Sequence, residues 1–184
     1  VRQLNLDRKE FDKEIYHILQ NIIKYEGYAN TGKEYMPALL FREAVITGLK
    51  LDDIKWVEKF ITNYDSKLSP EYRDTVFNYS LGKITMHEHK YQQAMMLYDN
   101  CLPKIQIITY DIKIDKLVCL YEMGLFDILN EEITRNKKQL KTNRSITAFH
   151  KRSFLLFNRV ISKILLLKLK QDEDLKIKLK KEVQ

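Results

Sequence analysis

The side chains that could do chemistry are few, and their spacing decides what each could be. His87-Glu88-His89 places two imidazoles and a carboxylate within three residues. Together they could hold a metal. Adjacent positions on a helix diverge by about 100° each, however, and no further His or Cys cluster lies near in sequence. A polar turn at a helix tip is the expected role. His17 and His150 stand alone. The acidic pairs Asp52-Asp53 and Glu131-Glu132 fall where helix starts and exposed faces need charge. No Gly-x-Ser-x-Gly elbow, phosphate loop or dinucleotide fingerprint occurs. Cys101 and Cys119 are 18 residues apart, too far for a local metal pair and too few for a disulfide framework. They read as small thiols in a reducing cytoplasm. The expectation is therefore a protein that is not an enzyme, with no cofactor and no metal.

The elements that must position these groups read as helices. Hydrophobic residues make up 45% of the 184, enough for a folded core. Only five glycines and three prolines occur, too few for the turns of a sheet protein. The first helix is expected over about Asp7 to Glu26, with Phe11, Ile15, Ile18, Leu19 and Ile22 on its core face. Others are expected from Pro37 to Gly48 and after Asp52 or Asp53. Ser69-Pro70-Glu71 gives a cap, a first-turn proline and an acid at the dipole's positive end, so a helix should start there. Helices over Lys90 to Leu102, Ile107 to Met123, Leu125 to Leu140 and Ser145 or Ile146 to Lys170 follow, with Gly124 as a break and a short charged helix from Asp172. The joints are short, so helix hairpins are the natural unit.

Within Asn78 to Cys101, the residues Leu81, Gly82, Tyr91, Ala94, Tyr98 and Cys101 fall at the spacings of a tetratricopeptide repeat, which the stretch resembles. Asn78 and Thr85 depart from the family's aromatic positions, and the family's closing proline is absent, Pro103 coming earlier. Leu120, Tyr121, Gly124, Phe126 and Leu129 give a weaker copy. Phe60 to Arg73 and Tyr121 to Gly124 also look like bacterial helical-repeat proteins, a comparison that carries no function. The resemblance implies an all-α fold of antiparallel helix hairpins stacked as a right-handed solenoid. Residues 1–184 would form one domain, a fragment of a longer chain because Val1 stands where an initiator Met would. The best repeat would be 75–108, the weaker copy 110–144, and 145–184 the capping helices. Gly82 and Ala94 would face each other within one pair. The resemblance further implies a concave groove lined by Val76, Tyr79, Lys83, Met86, Asp111, Ile114, Val118 and Tyr121. Val76, Met86, Ile114 and Val118 would equally serve as core.

Charge supplies a second theme. Ile133 to Gln171 contains no Asp or Glu but eleven Lys and Arg. The rest of the chain has 21 basic and 25 acidic residues, so the net +7 arises locally. Arg135, Lys137, Lys138, Lys141, Arg144, Lys151 and Arg152 form its densest part, with Phe149 and His150 inside it. Such a patch attracts polyanions: nucleic acid, acidic peptides or a membrane surface. A solvated face, or a patch meeting another domain of the same longer chain, has the same composition. The greasy stretch Phe154 to Leu169 is too short and too charged to span a bilayer. The leading expectation is a scaffold whose groove binds a protein or peptide. The alternative is nucleic-acid or other polyanion binding through residues 133–171.

Overall fold

The computed structural model describes residues 8–29, 35–142 and 147–170. Among these residues every regular element is helical, so the protein is all-α. In chain order the elements are α1 (Arg8–Lys24), α2 (Ala38–Lys50), α3 (Ile54–Tyr64), a 3-10 turn (Asp65–Lys67), α4 (Arg73–His87), α5 (Tyr91–Asp99), α6 (Gln106–Glu122), α7 (Phe126–Thr142) and α8 (Ala148–Lys170). None of these helices is long and apolar enough to cross a membrane. The expected helix from Asp172 and the start at Ser145 or Ile146 lie outside the described residues. The chain divides into two compact units, one ending at Ile108 and one beginning at Thr109.

In the first unit α2 touches α1, α3 and α4. That is why its residues Phe41, Ala44, Val45, Thr47, Gly48 and Leu49 are buried around much of its circumference. Gly48 is needed where α2 meets α3, since a Cβ there would sit 2.5 Å from the Val57 Cγ2. Asp53 caps α3 by accepting from the Trp56 amide at 3.2 Å. Its other oxygen accepts from the Tyr16 hydroxyl at 2.9 Å. The Tyr16 ring stands edge-on to Trp56, 5.0 Å between centroids. Trp56 stacks on Phe60, which in turn packs against Phe41 and Tyr64.

This constellation corrects the expected core face of α1. Tyr16, Leu19 and Ile23 are the buried residues, whereas Phe11 and Ile18 are 49% and 57% exposed. The Tyr16–Asp53 bond and the Trp56 contact set the helix rotation, one residue away from the purely hydrophobic stripe. Burial and the Asp53 carboxylate both hold the Tyr16 hydroxyl's pKa above its ordinary value.

The helix expected at Ser69-Pro70-Glu71 starts later. Residues up to Tyr72 form a turn, and α4 begins at Arg73 with no side-chain cap. The chain just before is held otherwise: Leu68 is buried and bridges Met36, whose amide donates to the Lys67 carbonyl at 2.8 Å. The Ser69 carbonyl then accepts from the amides of Tyr72 and Arg73, so Ser69 serves through its backbone. The α4–α5 hairpin is the most intimate contact of the unit. Gly82 lies under the Tyr98 ring, and a Cβ there would come within 2.4 Å of it.

Helices α1, α2, α4 and α6 end alike. The amides of Gly27, Asp53, Lys90 and Leu125 donate back to the carbonyls of Ile22, Gly48, Thr85 and Leu120. This closure needs a left-handed residue just before each amide. Gly124 supplies it for α6, but Glu26, Asp52 and His89 take positive φ in the others. His89→Gly relieves that strain. The variant is expected to be about 0.5–1 kcal/mol more stable after the added chain entropy is counted, measured by urea unfolding.

The second unit holds most of α6 and all of α7 and α8. Leu129, Ile133, Asn136 and Leu140 form the buried line of α7, and Phe154, Asn158, Ile161 and Leu165 that of α8. Both lines step by four, three and four residues, the spacing of helices packed lengthwise, and each carries one Asn. Asn158 donates to the Phe154 carbonyl at 2.7 Å. The Tyr110 ring packs on Phe154 at 5.3 Å.

Candidate binding surfaces

The His87-Glu88-His89 tip does not converge on a point. His87 Nε2 lies 2.9 Å from Asp52 Oδ1, His89 Nδ1 lies 2.7 Å from the Tyr91 hydroxyl, and Glu88 pairs with Lys90. Among the described residues no three His, Cys, Asp or Glu side chains gather as a metal site. Cys101 points its thiol at the Thr75 carbonyl, 3.5 Å away, and helps fasten the end of α5 to α4.

The expected groove residues fall into two sets, one in each unit. On α4, Val76 and Tyr79 are wholly buried and belong to the core. They are corrected from groove to packing, because α4 is covered by α5 on one side and by α2 and α3 on others. Lys83 and Met86 are half-buried; the Lys83 ammonium lies 5.7 Å from the centroid of the Tyr79 ring. On α6, Asp111, Ile114, Val118 and Tyr121 share a half-buried face. The Tyr121 ring packs near Phe126, 6.0 Å between centroids.

Of the basic segment, Arg135 and Lys138 are exposed on α7, and Arg135 pairs with Glu132. Lys137 turns inward and donates to the Ser162 hydroxyl at 3.3 Å. On α8, Lys151 is half-buried and Arg152 exposed. The Lys141 side chain and Arg144 lie outside the described residues. Lys151, Arg152 and Arg159 line a concavity of about 530 Å³ together with Leu155 and Leu156. The 17 basic and 10 acidic residues from Thr109 onward carry the entire net charge, since residues 1–108 hold 15 of each.

One surface was not singled out from sequence. Phe11, Ile18 and Tyr25 are exposed on α1 and just beyond it, the last by 70%. Ile15 and Ile22 lie between them, half-buried. The spacing four, three, four, three makes a continuous apolar seam on one line of the helix. Its signal was the hydrophobic stripe itself, read as core. A second concavity of about 650 Å³ opens beside the start of α2, lined by Tyr35, Pro37, Leu39, Tyr72 and Lys104 among others. The Glu71 carboxylate next to Tyr72 raises that phenol's pKa. With these surfaces in place, comparison adds no relative: no protein-family model, no curated protein and no solved structure matches the chain.

Proposed function

We propose that the protein is a non-enzymatic scaffold that binds a protein partner through exposed apolar helix faces. The observation that carries this reading is the α1 seam of Phe11, Ile15, Ile18, Ile22 and Tyr25. Apolar side chains at heptad-like spacing on an outer face suit a partner helix or peptide laid along them. The α6 face of Asp111, Ile114, Val118 and Tyr121 is a further contact surface in this reading. The hairpins are read as degenerate tetratricopeptide-like units. The buried Ala94 and the close approach of Gly82 to Tyr98 support that reading, since these are the small and aromatic positions of the repeat. A cytoplasmic setting goes with it, on the thiol character of Cys101 and Cys119.

The test changes Phe11, Ile18 and Tyr25 together to Ser. All three are exposed, so stability is expected to move by less than about 0.5 kcal/mol each. Affinity for a partner captured from the host with the unaltered protein is expected to drop at least about tenfold. Undiminished capture by a folded triple variant would overturn the α1 assignment.

A second reading, polyanion binding through residues 133–171, is favoured by Arg152 and Arg159, exposed on the same helix as a 74%-exposed Phe149. Counterion release makes such binding fall steeply with salt, and binding that persists at about 0.2 M salt would mark it as specific.

A further inference from the structure

We propose that α8 is a lipid-facing helix, which adsorbs the second unit to an anionic bilayer surface. The inference rests on the polyanion reading above and names the polyanion. Four residues of α8, Phe154, Asn158, Ile161 and Leu165, are buried in the unit. The opposite side of the 23-residue helix, about 34 Å long, is basic and apolar at once and largely exposed. Arg152, Arg159 and Lys163 fall on one line along it, seven and four residues apart. Leu155 and Leu166 run along one flank of that line, and Phe149 and Leu156 along the other, all exposed. No acidic residue interrupts α8.

The occupant must therefore be both anionic and apolar. Nucleic acid supplies phosphates, but its bases stack on aromatic faces, and on α8 only Phe149 and its neighbour His150 at one end expose a ring, with Phe154 buried and Phe157 half-buried. Leucines gain little there. A partner helix needs a continuous apolar centre with charges at the margins. Here the basic line splits the apolar residues into two strips, so no dry centre is left. A bilayer interface has no fixed register. Leucine and phenylalanine side chains enter the acyl boundary while Arg and Lys extend their stems to the phosphates at headgroup depth. A one-sign helix of Leu, Phe, Lys and Arg whose remaining face is already occupied by its own unit is suited to lying on such a surface, not to crossing it.

The experiment is co-sedimentation of the full chain with phosphatidylcholine vesicles, with and without phosphatidylserine. Binding is expected only with phosphatidylserine present. Arg152→Gln with Arg159→Gln should weaken it about 25-fold, fivefold for each charge. Leu155→Ser with Leu156→Ser leaves the charge unchanged and should weaken it about tenfold. Circular dichroism and a melting curve confirm that both variants fold. The same proteins are titrated with a single-stranded oligonucleotide, where the leucine variant is expected to match the unaltered protein. Failure to sediment with either vesicle, alongside tight oligonucleotide binding, would overturn the lipid assignment and keep the polyanion reading. Failure with vesicles and oligonucleotide alike would overturn both. Equal sedimentation of the leucine variant and the unaltered protein would reduce α8 to a bare charge patch and sink the inference.

Discussion

Phe41→Ala is expected to lower the unfolding free energy by about 3–5 kcal/mol. Phe41 has no exposed surface and lies in α2, the helix that touches α1, α3 and α4. Its ring packs on Phe60 at 4.5 Å between centroids, and Phe60 in turn stacks on Trp56. Truncation removes the transfer free energy of a large side chain. It also leaves a cavity among rings that other contacts hold in place, so the site cannot collapse fully. Tyr16 is bound to Asp53, and Asp53 caps α3, which limits how far α1 and α3 can close in. Phe41→Leu keeps most of the volume and should cost less than half as much. Urea unfolding followed by circular dichroism measures both. A loss under about 1 kcal/mol for the alanine variant would mean that α2 is not the centre of its unit.

Gly82→Ala is expected to destabilise by about 3 kcal/mol, an effect out of proportion to one methyl group. A Cβ at that position would lie 2.4, 2.8 and 2.9 Å from three atoms of the Tyr98 ring. Tyr98 is itself buried, with its hydroxyl 3.9 Å from the Met86 sulfur, so the ring has no free space to swing into. The cause is steric, which gives a sharper test than the single variant. Tyr98→Leu alone should destabilise through the lost ring. In the double variant, Gly82→Ala should add much less than it does alone, because the atoms it strikes are gone. A double-mutant cycle reads that coupling directly, and additivity within about 0.5 kcal/mol would show that the clash is not the cause. Gly124 provides the contrast. Nothing lies within 4 Å of a Cβ there, and its φ of +72° makes backbone strain the whole effect of Gly124→Ala, about 1–2 kcal/mol.

These two sites show where local pattern and tertiary contact part company. The tetratricopeptide-like spacing singled out Gly82, Ala94 and Tyr98 together, and all three are buried in the α4–α5 pair. Spacing could not say which of them meet. Gly82 lies under the Tyr98 ring, because rotation of each helix about its axis is fixed by its other neighbours. The same limit applied to α1. A hydrophobic stripe is one face wide, but α1 carries apolar residues over more than one face, and hydrophobicity alone cannot choose between them. One hydroxyl, Tyr16, made the choice by reaching Asp53 across 37 residues of sequence.

The sequence by itself determined the helical class, the approximate ends of most helices among the described residues, the break at Gly124 and the confinement of net charge to the later part of the chain. Each of these follows from composition or from interactions within a few residues: scarce Gly and Pro, apolar period, capping and charge counting. Only the tertiary structure decided which faces are core and which are surface. It buried Val76 and Tyr79, turned Lys137 inward to Ser162, and left Phe11, Ile18 and Leu155, Leu156 and Leu166 of α8 outside. Burial depends on which helices surround a given one, and those neighbours are brought together by contacts between residues far apart in the chain. No window of sequence contains both partners of such a contact, so the binding faces become visible only once the helices are packed.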